Sequence, residues 1–76
     1  MAAVKQQIGE LDVVSLRRAH GRWPKGCEGT VVDDEGNFKL IEIANDLGQT
    51  LDLIEVPVDH LELIYKCPQL AAMPPT

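Results

Sequence analysis

The sequence predicts an all-β domain: a small, strongly bent antiparallel barrel of five strands with a 3₁₀ turn before the last strand. A chain of 76 residues holds one domain at most and buries only a thin core. Short runs of apolar and β-branched residues alternate with clusters of Gly, Pro, Asn and Asp. Closing the sheet on itself would remove the exposed edges of a flat sheet. The alternative is an open meander to which the termini contribute a helix.

The predicted segments follow one another in a simple order. Residues 1–9 form a leader, which could pack on the barrel or on an interface, and residues 10–66 form the barrel. The tail over residues 67–76 contains three prolines and is expected to be flexible. Within the barrel, strands are predicted over residues 11–16, 28–33, 38–43, 49–56 and 61–65.

Turn residues separate the predicted strands. A long loop over residues 17–26 joins the first two strands, because glycine and proline interrupt regular structure there. The next two connections are short stretches rich in Asn, Asp and Gly, which are typical of tight hairpin turns. Pro57 has no N–H and is not expected to continue the fourth strand. A single 3₁₀ turn is therefore predicted over residues 57–60.

Charge is segregated along the chain, which carries a formal net charge of −5. Residues 17–26 contain four cations and no acid, whereas residues 27–62 contain ten acids and a single cation, Lys39. An acidic chain is a poor nucleic-acid binder unless its cations cluster. The pattern predicts an acidic body beside a basic loop, and this polarity would steer the encounter with a charged partner.

The cysteine usage and the flanking segments indicate a reduced compartment. Cys27 and Cys67 are too few for a disulfide framework and form no CxxC pair, and both histidines stand far from them in sequence. Neither a structural zinc site nor another cofactor is expected. No apolar run approaches the roughly 18 residues that cross a bilayer, and the N-terminus lacks an apolar signal core. We therefore expect a cytoplasmic protein without a membrane partner.

Three segments of the chain resemble small SH3-like barrels. They are residues 12–16 (DVVSL), 24–32 (PKGCEGTVV) and 41–43 (IEI), the last followed by Gly48. The pattern is similar to that of a bacterial family of short SH3-like domains of unknown function. Its glycine-containing core also looks like the KOW motif of ribosomal and transcription-elongation proteins. The family carries an aromatic residue where this chain has Ile43. The resemblance implies an SH3-like fold over residues 10–65 and leaves the function open.

The basic loop is the first candidate binding site. Trp23 is flanked in the sequence by four cations, Arg17, Arg18, Arg22 and Lys25. A cation cluster with one aromatic residue could bind a phosphate or stack on a base. In the alternative interpretation, Trp23 closes one end of the barrel and the cations only balance the acidic body.

Apolar residues on the outside of the sheet form the second candidate site. If Ile41 and Ile43 face the core, the two-residue period of a strand turns Phe38 and Leu40 outward. If Leu51 and Leu53 face the core as well, the same period turns Ile54 outward. A strand with one buried face would carry polar residues at such positions. Either a protein interface or the termini of the chain must therefore cover these side chains.

These features favour a binding module over an enzyme. No phosphate loop or nucleophile motif is present, and most acids alternate along strands as on a solvated face. We expect a protein-binding adaptor, or by analogy an antitoxin- or immunity-type protein, that masks a basic partner surface. A homodimer is also expected, because small domains commonly gain stability by association. The alternative is a KOW-like contact with nucleic acid or the ribosome through residues 17–26.

Overall fold

A computed structural model describes residues 7–67 and shows five strands. They are β1 (Val13–Leu16), β2 (Glu28–Asp34), β3 (Phe38–Ala44), β4 (Thr50–Pro57) and β5 (Leu61–Tyr65), with a 3₁₀ turn over Val58–His60. The described residues include no α-helix. The predicted all-β fold with a 3₁₀ turn before the last strand is confirmed. Most of the predicted leader, and the predicted tail beyond residue 67, lie outside the described residues.

The five strands form one antiparallel sheet with the order β4-β3-β2-β1-β5. This order, with a long β1–β2 loop and a 3₁₀ turn before β5, is that of an SH3-like barrel. Irregularities interrupt the β1–β5, β2–β3 and β3–β4 registers. Such bulges bend and twist the strands that carry them, which lets a short sheet curl around a core.

The core is small and comes mostly from the inner side of each strand. Partly buried side chains, among them Trp23 and Leu63, pack against it. A core of this size is what a chain of this length can build. The buried apolar residues are Ile8, Val14, Leu16, Val31, Ile41, Ile43, Val56 and Leu61.

The prediction that Leu51 and Leu53 face the core and that Ile54 faces outward is wrong, because the structure shows the reverse. Ile54 pairs with the buried Ile41, and cross-strand partners share one side of a sheet. Ile54 therefore packs against the core and Val56 is fully buried, whereas Leu51 and Leu53 are 48% and 54% exposed. Each alternating set of β4 combines two large apolar residues with one acid, so alternation alone could not tell which set is buried.

Two strand boundaries also differ from the prediction. Leu11 has a φ of 70°, which an extended strand does not allow, and β1 begins only at Val13. Pro57, in contrast, is the last residue of β4. β4 lies at the edge of the sheet and pairs only with β3, so a residue without an N–H can be tolerated there.

A buried aspartate, Asp12, joins the two ends of the domain. Its carboxylate accepts hydrogen bonds from the backbone N–H groups of Gly9 and Cys67 and from Lys66 Nζ, each at 2.8 Å. Burial raises the pKa of Asp12, but these hydrogen bonds and the Lys66 charge outweigh it and hold the pKa below its usual range. Lys66 Nζ also donates to the Gln7 carbonyl oxygen at 3.0 Å. One ionised carboxylate thus holds the segment before β1 against the segment after β5.

Candidate docking face and basic loop

The outer side of β2, β3 and β4 presents exposed apolar side chains. Leu40 of β3 pairs with Glu55 of β4, and Glu42 pairs with Leu53, so these residues share one side of the sheet. Phe38 precedes Leu40 on the same side and is 45% exposed. We call this surface the outer face, and it consists of Val32, Asp33, Phe38, Leu40, Glu42, Leu51, Leu53 and Glu55.

A β-bulge in β2 adds an apolar residue to the outer face. The register shifts between Val31, which pairs with Ile41, and Asp33, which pairs with Leu40. Val31 is buried on the inner side, and the extra residue, Val32, is exposed. Val32 and Asp33 therefore both lie on the outer side, which widens the apolar surface beside Leu40.

Carboxylates surround the apolar side chains of the outer face. Asp33 of β2 and Glu55 of β4 flank Leu40 on either side in the register. Glu42 lies opposite Leu53, where its carboxylate accepts a hydrogen bond from the Thr50 hydroxyl. The outer face is thus apolar along its middle and negatively charged around it.

The β2–β3 turn extends this acidic rim. A hydrogen bond with the Glu55 carboxyl group raises the pKa of Glu35, and burial and the charges of Glu55 and Asp33 act in the same direction. The neighbouring Asp34 is different, because the buried Lys39 binds its carboxylate and is the main cause of its lowered pKa. Near the β2–β3 turn, the net negative charge of the outer face therefore comes from Asp33, Glu35 and Glu55.

The basic loop, residues 17–26, forms a hairpin. The Leu16 N–H donates to the Cys27 carbonyl oxygen at 2.9 Å, which extends the β1–β2 pairing to the base of the loop. Nearer the tip, His20 and Trp23 exchange backbone hydrogen bonds of 2.8 and 2.9 Å. The loop cations are therefore held on a defined backbone.

Trp23 ties the basic loop to β4. Its indole Nε1 donates to Asp52 Oδ2 at 2.8 Å, and this bond is the main cause that holds the pKa of Asp52 below its usual range. The ring is half-buried against the core, and the Arg22 guanidinium carbon lies 4.7 Å from a ring centroid, within cation–π distance. A ring engaged in these ways helps to close the barrel and offers little free surface for stacking a base.

The loop cations differ in what they contact. Arg17 is anchored by two hydrogen bonds. Its Nε donates to the Leu61 carbonyl oxygen at 2.9 Å, and its backbone N–H donates to the His60 carbonyl oxygen at 2.7 Å. Neither of the two ion pairs found among residues 7–67 involves the loop. The loop therefore presents its positive charge to solvent. All four loop cations are exposed, and the three without this anchoring are Arg18, Arg22 and Lys25.

The structure thus brings together some of the candidate residues and separates others. Phe38 and Leu40 lie on the outer face, whereas Ile54, which the sequence analysis placed beside them, packs on the core side. Leu53 occupies the outer position instead. The five candidate residues of the basic loop lie together on one hairpin.

Two structurally important aspartates, Asp52 under the basic loop and Asp12 at the ends of the domain, were not predicted from the sequence. Asp52 lies opposite the buried Ile43, two residues before Ile54, so the corrected phase of β4 would have placed it on the inner side. Asp12 carries no such signal, because its partners at residues 66 and 67 lie far away in the sequence.

The described part of the chain shows neither a metal cluster nor a membrane-spanning helix. Among residues 7–67, no group of three or more His, Cys, Asp or Glu side chains could hold a metal ion. In the same residues, no helix is long and apolar enough to cross a bilayer.

Comparisons with known proteins give no match. No family model, no curated protein and no solved structure matches the chain. The resemblance to a bacterial SH3-like family and to the KOW motif therefore stays a prediction. The function has to be inferred from the outer face and the basic loop.

Proposed function

We propose that this domain is a non-catalytic protein-binding module whose outer face covers a basic and partly apolar surface of a partner protein. The observation that carries the proposal is the composition of the outer face. Exposed apolar side chains of three neighbouring strands lie together there, among carboxylates. Exposed apolar patches rimmed by polar groups commonly mark protein interfaces.

Apolar burial and charge would contribute differently to this binding. Covering a half-exposed Leu or Phe side chain gains roughly 1 kcal/mol, so Phe38, Leu51 and Leu53 together supply on the order of 3 kcal/mol before the costs of association. The rim carboxylates would favour a basic partner and speed the encounter more than they increase affinity.

The partner chemistry fits an adaptor, or an antitoxin- or immunity-type protein that masks a basic surface. The second of these rests on analogy with other small acidic domains. The cysteine usage supports a cytoplasmic setting, because two cysteines without a disulfide framework are typical of reducing compartments.

Reversing the character of the outer face tests the proposal. A tagged Phe38→Lys, Leu53→Lys variant loses apolar contact and repels a basic partner. We expect at least about a tenfold loss of a specifically captured basic protein, measured by quantitative mass spectrometry of affinity purifications from the source cell.

The matched control variant changes the net charge by the same amount, but at positions outside the outer face. Leu47→Lys with Ile64→Lys alters one exposed residue in the β3–β4 turn and one on β5. This variant should capture the partner as the unaltered protein does. Equal capture by both variants, with folding verified by circular dichroism, would contradict the proposed docking face.

A nucleic-acid contact is the second candidate, and the exposed cations of the basic loop favour it. Arg18 and Lys25 are the substitutions of choice, because Arg17 and Arg22 also have structural contacts. If this candidate is right, labelled single-stranded RNA binds at low salt, with an affinity that falls steeply as salt increases. Arg18→Ala with Lys25→Ala should then weaken binding, and the absence of binding at low salt would remove this candidate.

A further inference from the structure

We infer that the outer face of one molecule also binds the basic loop of a second copy of the same chain. This inference rests on the proposed docking face and names an occupant that the chain itself supplies. The contact joins two different surfaces, the loop of one copy and the outer face of the other.

Charge complementarity between the two surfaces is the first ground for the inference. Arg18, Arg22 and Lys25 are exposed on the loop, and the ion pairs found among residues 7–67 use none of them. Asp33, Glu42 and Glu55 are spread over the outer face of β2, β3 and β4. Each molecule therefore carries a cationic surface and an anionic surface of matching charge.

The anchoring of the loop explains why this contact would form between molecules. The Trp23–Asp52 hydrogen bond and the packing of the indole against the core hold the loop toward the inner side of β4. The carboxylates of Glu42 and Glu55 belong to the opposite side of the sheet. The loop of a molecule is thus held on the side of the sheet opposite its own outer face, so the contact has to be made with the outer face of a second copy.

The rigidity of the loop favours the same conclusion. Arg17 donates hydrogen bonds to the carbonyl oxygens of residues 60 and 61, and the backbones of His20 and Trp23 are hydrogen-bonded to each other. The loop backbone therefore needs little further ordering when it binds a second copy. Preorganised surfaces lose less conformational entropy when they associate. The contact is heterologous, since the loop of one copy meets the outer face of another copy.

A charge exchange between two variants tests the inference. The loop variant carries Arg18→Glu, Arg22→Glu and Lys25→Glu, and the face variant carries Asp33→Lys, Glu42→Lys and Glu55→Lys. Each variant alone has two surfaces of like charge and should sediment as a monomer near 8.4 kDa. An equimolar mixture places opposite charges together again and should sediment above the monomer mass.

The unaltered protein provides the reference state. At tens of micromolar it should sediment above the monomer mass, and this association should weaken as ionic strength rises from about 0.05 to about 0.5 M. A monomer throughout, self-association of either variant alone, or a mixture that stays monomeric would each overturn the inference.

Failure of the self-association can be distinguished from failure of the proposed function. Capture of a foreign protein by the Phe38 and Leu53 positions is measured independently of sedimentation. If that capture depends on the outer face but the charge exchange yields no complex, only the self-association is wrong. If the complex forms but no foreign protein depends on the outer face, the proposed function is wrong instead.

Discussion

Asp12 is a single residue with an influence on the whole domain, because its carboxylate is the common acceptor for three donors. Two of them are backbone N–H groups, of Gly9 and Cys67, and the third is the Lys66 ammonium. The side chain is only 1% exposed, so water cannot replace a lost partner in the folded protein. Hydrogen bonds to a charged group contribute more to stability than those between neutral groups.

The substitution Asp12→Asn tests this arrangement. Asparagine keeps the size of the side chain but loses the charge and one of the two acceptor oxygens. We expect a loss of about 2 kcal/mol in the free energy of unfolding at pH 7, measured by urea denaturation. Asp46→Asn, at an exposed position in the β3–β4 turn, is the control and should change stability little.

The pH dependence of the same variant gives an independent check. The pKa of Asp12 in the folded state lies below its ordinary value of 3.8. Its contribution is therefore fully present above the unfolded-state pKa and is lost as the pH falls through the folded-state pKa. The stability difference between the unaltered protein and Asp12→Asn should narrow on acidification. A constant difference from pH 7 to well below 3.8 would show that the ionised carboxylate is not the source of the effect.

At the scale of the strands, Gly29 sets the distance between β2 and β3. A Cβ at this position would lie 2.5 Å from Ile41 Cγ2 and 2.7 Å from the Glu42 carbonyl oxygen. The carbonyl oxygen belongs to the partner strand and cannot move without spreading the two strands. The sequence shows a glycine in a strand, which often marks such an approach, but it does not identify the neighbouring atoms.

We expect Gly29→Ala to destabilise the domain by about 1–3 kcal/mol, as overpacking of a close contact does. Gly9→Ala is the matched control, because the nearest atom to its added Cβ would be Lys66 Nζ at 3.9 Å. Thermal and urea denaturation of both variants measure the two effects. Equal stability of the two variants would contradict a tight β2–β3 contact.

At two of its positions, the edge strand β4 offers no free N–H group to a further strand. The Leu53 N–H donates to Asp52 Oδ1 at 2.9 Å, and Pro57 has no N–H to offer. Free N–H groups along an edge would otherwise recruit another chain. This protection favours docking through the side chains of the outer face over the addition of a strand.

At the scale of the whole molecule, the element order could be predicted from the sequence because it depends on local signals. Turn residues separate β2, β3 and β4, and the β1–β2 loop is interrupted by glycine and proline. The strand count and the 3₁₀ turn follow from the positions of those turn residues. The start of β1 was not predictable from them, because the conformation of Leu11 accompanies its backbone hydrogen bond to Val31, which lies far away in the sequence.

The candidate surfaces were only partly predictable, for a related reason. The charge of the basic loop can be read directly from residues 17–26. The membership of the outer face depends on the β3–β4 register, which pairs Ile41 with Ile54 and leaves Leu53 outside. Because each alternating set of residues in β4 combines two large apolar residues with one acid, no local pattern fixes that choice. The anchoring of Trp23 depends on the same register, since it requires Asp52 on the inner side.

The hydrogen bond between Lys66 and Gln7 has a consequence for how the polypeptide could be rearranged. Both ends of the domain leave the barrel at the same place, so a short linker could join them. The chain could then be reopened in the β3–β4 turn, where Leu47 is 83% exposed, to give a circular permutant with the same architecture. For the same reason, the domain would fit as an insertion in a surface loop of a host protein without forcing the host's flanking segments apart.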